Sequence, residues 1–182
     1  MQKTEIRLAG FGGQGIVLLG NIIGKAASIY NGCHSTLTQS YGPESRGGSC
    51  RAELVISGEP VDYPYIIEPA IQVMLSQEAY NEFGSKAPKG SLLIVDSELV
   101  KIDKLPGVKV YSIPASRMAQ DMGRPVVANI IMLGFLAAHS DVVTRNALER
   151  SVKDFIPAGT ESFNMQAFEL GYNYASQGDR PA

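Results

Sequence analysis

Cysteine and histidine are scarce in this chain of 182 residues. Its two cysteines, Cys33 and Cys50, form neither a C-x-x-C motif nor a set of four, so the chain cannot ligate an iron–sulfur cluster by itself. Its two histidines, His34 and His139, are equally isolated and fit no metal-site or nucleophile–base spacing. We therefore expect both histidines to be structural, and we expect no metal site.

The sequence also lacks long apolar runs and blocks of like charge. Its longest apolar run, residues 126–138, contains Asn129 and is well below the roughly 20 residues that a membrane span needs. The first residues lack the apolar core of a signal peptide, which predicts a cytoplasmic protein. A net charge of -2 without a basic cluster predicts binding to neither nucleic acid nor an anionic membrane.

Hydrophobic residues make up 45% of the chain, enough to fill a core without disulfides or metals. Strand-like and helix-like patterns alternate, which predicts an α/β fold: a doubly wound, Rossmann-like, mostly parallel sheet with helices on both faces. We predict one domain over residues 1–176 and a frayed tail over residues 177–182. The predicted strands are residues 4–9, 33–39, 52–57, 71–75, 91–95 and 108–113. The predicted helices are residues 16–30, 77–84, 115–121, 126–139 and 145–155, and a last helix that begins at Glu161 or Asn164 and ends at about residue 176.

A glycine turn joins the first predicted strand to the first predicted helix. Gly10, Gly12 and Gly15 fit G-x-G-x-x-G in the strand–turn–helix context that this pattern requires. Such a turn lets a phosphate approach the backbone and the helix N-terminus. The same glycines also permit close packing of strand and helix. The sequence leaves both interpretations open for the whole turn, which includes Gly13 and Gln14.

The end of the second predicted strand does not carry the acid expected of a dinucleotide site. An Asp or Glu about 20 residues beyond the glycines would bind the ribose hydroxyls of NAD. Residues 38–40 read Thr-Gln-Ser instead, and the first acid, Glu44, follows inside a loop. We therefore expect no useful affinity for NAD or NADP.

The loop after this strand is rich in turn formers that surround an acid and a base. Glycines on both sides of Glu44 and Arg46 would present these side chains and leave backbone N–H groups open to a ligand or partner. The alternative is a surface loop with a weak Glu44–Arg46 ion pair. Because parallel strands end at one edge of the sheet, we expect the loop and the glycine turn to form one mouth. The candidate binding residues are Gly10, Gly12, Gly13, Gln14, Gly15, Ser40, Tyr41, Gly42, Glu44, Arg46, Gly47 and Gly48.

Three further polar residues, Ser76, Gln77 and Asp96, follow later predicted strands. Carboxyl ends of parallel strands are where such sheets bind ligands, which makes these residues secondary candidates. Helix capping and turn formation account for them equally well.

Together, the glycine turn and the loop resemble the gamma subunit of 2-oxoacid:ferredoxin oxidoreductases. The pairing of residues 10–15 (GFGGQG) with residues 39–48 (QSYGPESRGG) is more specific than either motif alone. The similarity continues through residues 52–57 (AELVIS), 74–80 (MLSQEAY), 127–129 (VAN) and 157–161 (PAGTE). Residues 38–43 (TQSYGP) are most similar to the 2-oxoglutarate branch of this family.

The resemblance implies a complex that decarboxylates a 2-oxoacid on thiamine diphosphate, reduces ferredoxin and releases an acyl-CoA. In the 2-oxoglutarate branch the product is succinyl-CoA. Thiamine diphosphate, Mg²⁺ and the iron–sulfur clusters are then expected on alpha, beta and delta partner subunits. This chain would supply structure, interfaces and a contact to coenzyme A, without firmly binding a cofactor and without a catalytic residue.

Three alternatives remain at this point. The first is the gamma subunit of a complex that acts on pyruvate or another 2-oxoacid. The second is a stand-alone Rossmann oxidoreductase, which the missing acid disfavours, and the third is a pure assembly subunit with an empty glycine turn.

Overall fold

A six-stranded sheet forms the centre of the protein, as a computed structural model covering residues 3–41 and 48–177 shows. The strand order is β2-β3-β1-β4-β5-β6. The strands are β1 (Thr4–Phe11), β2 (His34–Tyr41), β3 (Ser49–Ser57), β4 (Ile71–Met74), β5 (Leu92–Asp96) and β6 (Lys109–Ile113). The α-helices are α1 (Ile16–Lys25), α2 (Gln77–Glu82), α3 (Ala115–Asp121), α4 (Ala128–His139), α5 (Arg145–Phe155) and α6 (Glu161–Tyr174).

The sheet is mostly parallel, as predicted, but one strand runs against the others. β1, β4, β5 and β6 pair in parallel, whereas β3 pairs antiparallel to both β1 and β2. We expected the first two strands to be parallel neighbours whose ends form one mouth, and this adjacency is wrong because β3 lies between β1 and β2. The connection from β2 to β3 is too short for the crossover that parallel strands need, so β3 runs antiparallel to β2.

The two faces of the sheet are covered unequally. Ile6 and Leu8 of β1 face the larger core, which α1, α3, α4, α5 and α6 cover. Ala9 faces the smaller core with residues of α2. Helices on both faces are confirmed, but within residues 3–41 and 48–177 the α-helix that contributes to the smaller core is the short α2.

The predicted helix over residues 16–30 is formed in two parts. α1 ends at Lys25 and continues as a π-helical turn, Ala26–Tyr30. None of the helices in residues 3–41 and 48–177 is long and apolar enough to cross a membrane. The single domain over residues 1–176 stays a prediction, and residues 178–182 of its predicted tail lie outside the described part.

An irregular segment, residues 59–68, connects β3 towards β4 and is tied to the start of β1. The Glu5 carboxylate accepts hydrogen bonds from the backbone N–H groups of Ile67 and Glu68, with N–O distances of 2.6 and 2.8 Å. Lys3 Nζ lies 2.9 Å from the other carboxylate oxygen. Burial raises the Glu5 pKa, but the hydrogen bonds from Lys3 and the two N–H groups outweigh it and lower the pKa overall.

Glu5→Gln is expected to reduce stability at pH 7 by about 1–3 kcal/mol, because it removes a charge-assisted acceptor that is largely buried. The folded-state pKa of Glu5 is depressed, so its contribution is complete above the unfolded value of about 4.3 and is lost as pH falls through the folded value. Urea unfolding at pH 7 and at low pH measures both effects. Glu59→Gln, at an exposed acid of the same segment, is the control. A difference between Glu5→Gln and wild type that persists unchanged at low pH would contradict this account.

Candidate functional site

The glycine turn is filled by the side chain of Gln14. Gln14 Oε1 accepts a hydrogen bond from the Phe11 N–H at 2.6 Å, and Nε2 donates to the Leu75 carbonyl at 2.7 Å. A Cβ at Gly10 would overlap Gln14 Oε1, which explains the glycine there. Gln14 thus bridges the carboxyl ends of β1 and β4, the point where strand order reverses and where Rossmann proteins bind their ligands.

The last glycine of the motif is required by its backbone and by a neighbour. Gly15 has φ 75°, a left-handed conformation, at the N-cap of α1. A Cβ there would overlap the amide nitrogen of Asn129, which is 4% exposed at the start of α4. Close packing therefore accounts for Gly15 without a ligand. The buried Asn129 is itself hydrogen-bonded, since its Oδ1 accepts from the Ile130 N–H at 2.8 Å.

The glycine turn and the end of the following loop are in contact. The Gly12 N–H donates to the Gly48 carbonyl at 2.9 Å. Gly13 is exposed with φ 97°, and a Cβ there would meet no atom within 4 Å. The contact comes from the residue before β3, which is the direct neighbour of β1, and not from an adjacent β2.

The remaining predicted binding residues lie at the end of β2 and in the loop that follows it. Tyr41 ends β2 and pairs with Cys50 of β3, and Ser40 is exposed one residue before it. Gly42, Glu44, Arg46 and Gly47 lie outside the described residues. Their place in the mouth, and the single mouth itself, stay predictions.

A cleft opens on the sparsely covered face beside the glycine turn. Its floor is formed by the ends of β1, β2 and β3, and its far wall by α2. The lining residues are Ala9, Gly10, Phe11, Ser40, Ser49, Cys50, Arg51, Ser76, Glu78, Ala79, Glu82 and Phe83. Serine hydroxyls, a cation, two acids and two aromatic rings thus share one concave surface, as is typical of ligand sites.

Two arginines and one carboxylate organise the cleft. Arg7 Nε lies 2.8 Å and Arg51 Nε 3.4 Å from the same oxygen of Glu53, which is 8% exposed. Both guanidinium groups also stack on Phe83, with centroid distances of 4.5 and 5.3 Å. One carboxylate therefore neutralises one of the two arginines. Arg51 is the more exposed of the two and lines the cleft, so it is the cation that a bound anion would meet.

No reactive nucleophile is evident in this cleft among the described residues. Burial raises the pKa of the Cys50 thiol, which keeps it protonated and unreactive at neutral pH. Within the described ranges, no three His, Cys, Asp or Glu side chains are grouped so that they could hold a metal ion.

The secondary candidates have structural roles. Ser76 Oγ accepts from the Ala79 N–H at 3.1 Å and caps α2. Asp96 is fully buried, and its carboxylate accepts hydrogen bonds from the N–H and hydroxyl groups of Ser116 in α3. Gln77 is hydrogen-bonded to Lys101.

The sequence analysis did not identify Arg51 and Phe83 as residues of the cleft. It also did not predict that the Gln14 side chain fills the glycine turn. The period of two along β3 places Arg51 and Glu53 on one face, and that signal was readable. Which part of the sheet has little helix cover, and that Phe83 reaches it, depends on the tertiary fold.

Fold and site together define a Rossmann-like α/β subunit with a closed glycine turn and a polar cleft. A family model described as pyruvate ferredoxin/flavodoxin oxidoreductase matches residues 5–174. The chain belongs to this family.

Its relatives include both separate and longer chains. It is 46% identical to the 2-oxoglutarate synthase subunit KorC of Methanocaldococcus jannaschii, covering 96% of this chain and 95% of the relative. It is 31% identical to the ketoisovalerate oxidoreductase subunit VorA of Methanothermobacter thermautotrophicus, covering 96% of this chain but 37% of the relative. The crystal structure of a keto/oxoacid ferredoxin oxidoreductase gamma subunit from Geobacter sulfurreducens PCA has a TM-score of 0.88 at 36% identity, covering 99% of this chain and all of that chain.

Proposed function

We propose that this chain is the gamma subunit of a 2-oxoglutarate:ferredoxin oxidoreductase, which converts 2-oxoglutarate, coenzyme A and oxidised ferredoxin to succinyl-CoA, CO₂ and reduced ferredoxin. The observation that carries the proposal is end-to-end similarity, at 46% identity, to a subunit named for 2-oxoglutarate synthase. The relative named for ketoisovalerate, another 2-oxoacid, is more distant at 31% identity. This difference favours the 2-oxoglutarate branch over the alternative 2-oxoacids.

The proposed partners are alpha, beta and delta subunits, with ferredoxin reached through the complex. Support comes from VorA, of which this chain matches little more than a third. A fold that is one part of a longer polypeptide in a relative must hold the remainder non-covalently when it is a separate chain. We assign thiamine diphosphate with its Mg²⁺ and the iron–sulfur clusters to these partners. The present sequence has two cysteines and no thiamine-type Gly-Asp-Gly motif, so it does not fit these groups.

We further propose that the cleft beside the glycine turn contacts coenzyme A. Arg51 offers a charge-assisted hydrogen bond to a phosphate. The exposed acids Glu78 and Glu82 on the α2 wall can accept from the amide N–H groups of the pantetheine arm. The mixed lining thus suits a ligand that carries both phosphates and amides.

The same geometry disfavours the stand-alone oxidoreductase. Gln14 occupies the crevice where the pyrophosphate of a dinucleotide would approach the turn, and its amide already satisfies the Phe11 N–H. Residues 38–40 supply no acid for a ribose.

The isolated chain is expected to fold but to show no 2-oxoacid oxidation, because the described residues offer no metal grouping and the sequence has neither cluster ligands nor a thiamine-type motif. An assay with 2-oxoglutarate, coenzyme A and a dye acceptor should give the background rate. Adding the partner subunits should produce turnover in the same assay. Turnover by the chain alone would refute its assignment as a non-catalytic subunit.

A further inference from the structure

Three of the five most exposed large apolar side chains among the described residues lie in the segment of residues 59–68. Tyr63, Tyr65 and Ile67 are 54%, 56% and 77% exposed, at alternate positions of this irregular stretch. The Tyr63 and Tyr65 rings pack edge to face at 5.6 Å. A free monomer has no reason to hold three large apolar groups in water, whereas aromatic side chains are enriched at the cores of protein interfaces.

The segment is held in place before any partner arrives. Pro60 and Pro64 restrict its backbone, and the Glu5 carboxylate binds its far end at the Ile67 and Glu68 N–H groups. An ordered segment loses less conformational entropy on binding than a mobile loop does. The segment therefore has the preformed shape of a docking surface.

Charge adds information about the partner. Glu59, Asp62 and Glu68 are exposed, and residues 59–68 contain no basic side chain. Lys3, which borders the segment, is already paired with Glu5, so the other charges of this surface are acidic. Its complement is an apolar groove rimmed by arginine or lysine.

We propose that residues 59–68 dock this chain onto the catalytic polypeptide that corresponds to the remainder of the longer relative VorA. This rests on the proposed function. The separate chain needs an interface of roughly 800 Å² per partner to replace the covalent link, and this segment groups three exposed large apolar side chains within five residues. Tyr63, Tyr65 and Ile67 enter the partner's groove, while the three acids face its basic rim.

The docking segment lies apart from the cleft. Glu5 is near the start of β1 and Phe11 is its last residue, so the segment and the glycine turn are about 20 Å apart along the strand. Changes in the segment should therefore affect assembly without altering the cleft.

The test is co-expression of the full chain with its partner subunits, followed by affinity purification through the partner. In a triple variant, Tyr63→Ser with Tyr65→Ser and Ile67→Ser, the dissociation constant is expected to rise about 100 fold or more, since aromatic anchors dominate interface energy. Its thermal midpoint as an isolated chain should stay close to that of wild type, because these side chains are exposed. The matched control is Ile29→Ser, at an equally exposed apolar residue (65%) on the π-helical turn, and it should still assemble.

The outcomes separate the two proposals. Stoichiometric co-purification of the triple variant, or an equal loss in Ile29→Ser, would overturn the docking surface while leaving the proposed function intact. If the wild-type chain itself does not assemble with those subunits, the proposed function fails and the docking surface with it.

In a second variant that neutralises Glu59, Asp62 and Glu68, binding should weaken and lose much of its salt dependence. Salt dependence equal to wild type would contradict a basic groove.

Discussion

Arg51→Ala is expected to raise the coenzyme A concentration for half-maximal activity of the assembled complex roughly 10 to 150 fold. This range corresponds to a charge-assisted hydrogen bond of about 1.5–3 kcal/mol, at a factor of ten for each 1.4 kcal/mol. The fold should survive, because Arg7 still pairs with Glu53 at 2.8 Å and stacks on Phe83. Steady-state kinetics with varied coenzyme A measure the effect.

Two variants make this result specific. Arg150→Ala removes an exposed arginine that stacks on Tyr30, at 4.1 Å, and should leave coenzyme A kinetics unchanged. Gly12→Asp places a negative charge on the glycine turn beside the cleft and should raise the coenzyme A requirement in the same direction as Arg51→Ala. If the glycine turn instead belongs to a subunit interface, Gly12→Asp should lose co-purification with the partners. Full assembly with unchanged kinetics in both Arg51→Ala and Gly12→Asp would remove the cleft and the glycine turn from function.

Gly134→Ala is expected to destabilise the chain by about 3 kcal/mol or more, which is the upper end of the range for substitutions that overpack a core. Gly134 of α4 lies against the backbone of α6, where a Cβ would overlap the Phe168 carbonyl oxygen. Gly171 of α6 lies reciprocally against the Ile131 carbonyl of α4. A backbone atom cannot move aside as a flexible side chain can, so the two helices must separate. Urea unfolding of the isolated chain measures the loss.

Gly24→Ala is the matched control, since Gly24 also lies inside a helix. A Cβ there would meet Leu54 Cδ2 at 3.4 Å, an ordinary contact with the end of a side chain. The better helix propensity of alanine should then stabilise α1 by about 0.5–1 kcal/mol. Similar losses in Gly24→Ala and Gly134→Ala would show that helical glycines in general, and not the α4–α6 contact, set the stability.

Most of the architecture could be predicted from the sequence, because hydrophobic period and capping residues act locally. Ser76 caps α2, which was one of the two roles open to it, and Thr144 caps α5. The direction of β3 was not predicted, although the short connection from β2 favoured a turn back over a crossover. The pairing of β3 with β1, from Thr4 with Ile56 to Phe11 with Ser49, is set by contacts distant in sequence.

The candidate site was less predictable. G-x-G-x-x-G correctly indicated strand, turn and helix, but the motif does not say whether a ligand or a side chain fills the turn. Gln14 reaches Leu75 across 61 positions, which no local pattern reports. Arg51 is a candidate for binding an anion because it lines the cleft next to α2, and this neighbourhood is set by the tertiary fold.

The proposed function is tested most directly by purifying the untagged chain from its native source and identifying what accompanies it. The account predicts co-purification with thiamine diphosphate-containing and iron–sulfur chains, and ferredoxin reduction that depends on coenzyme A and is faster with 2-oxoglutarate than with pyruvate or branched 2-oxoacids. A chain that purifies alone, or a complex that prefers another 2-oxoacid, would contradict it.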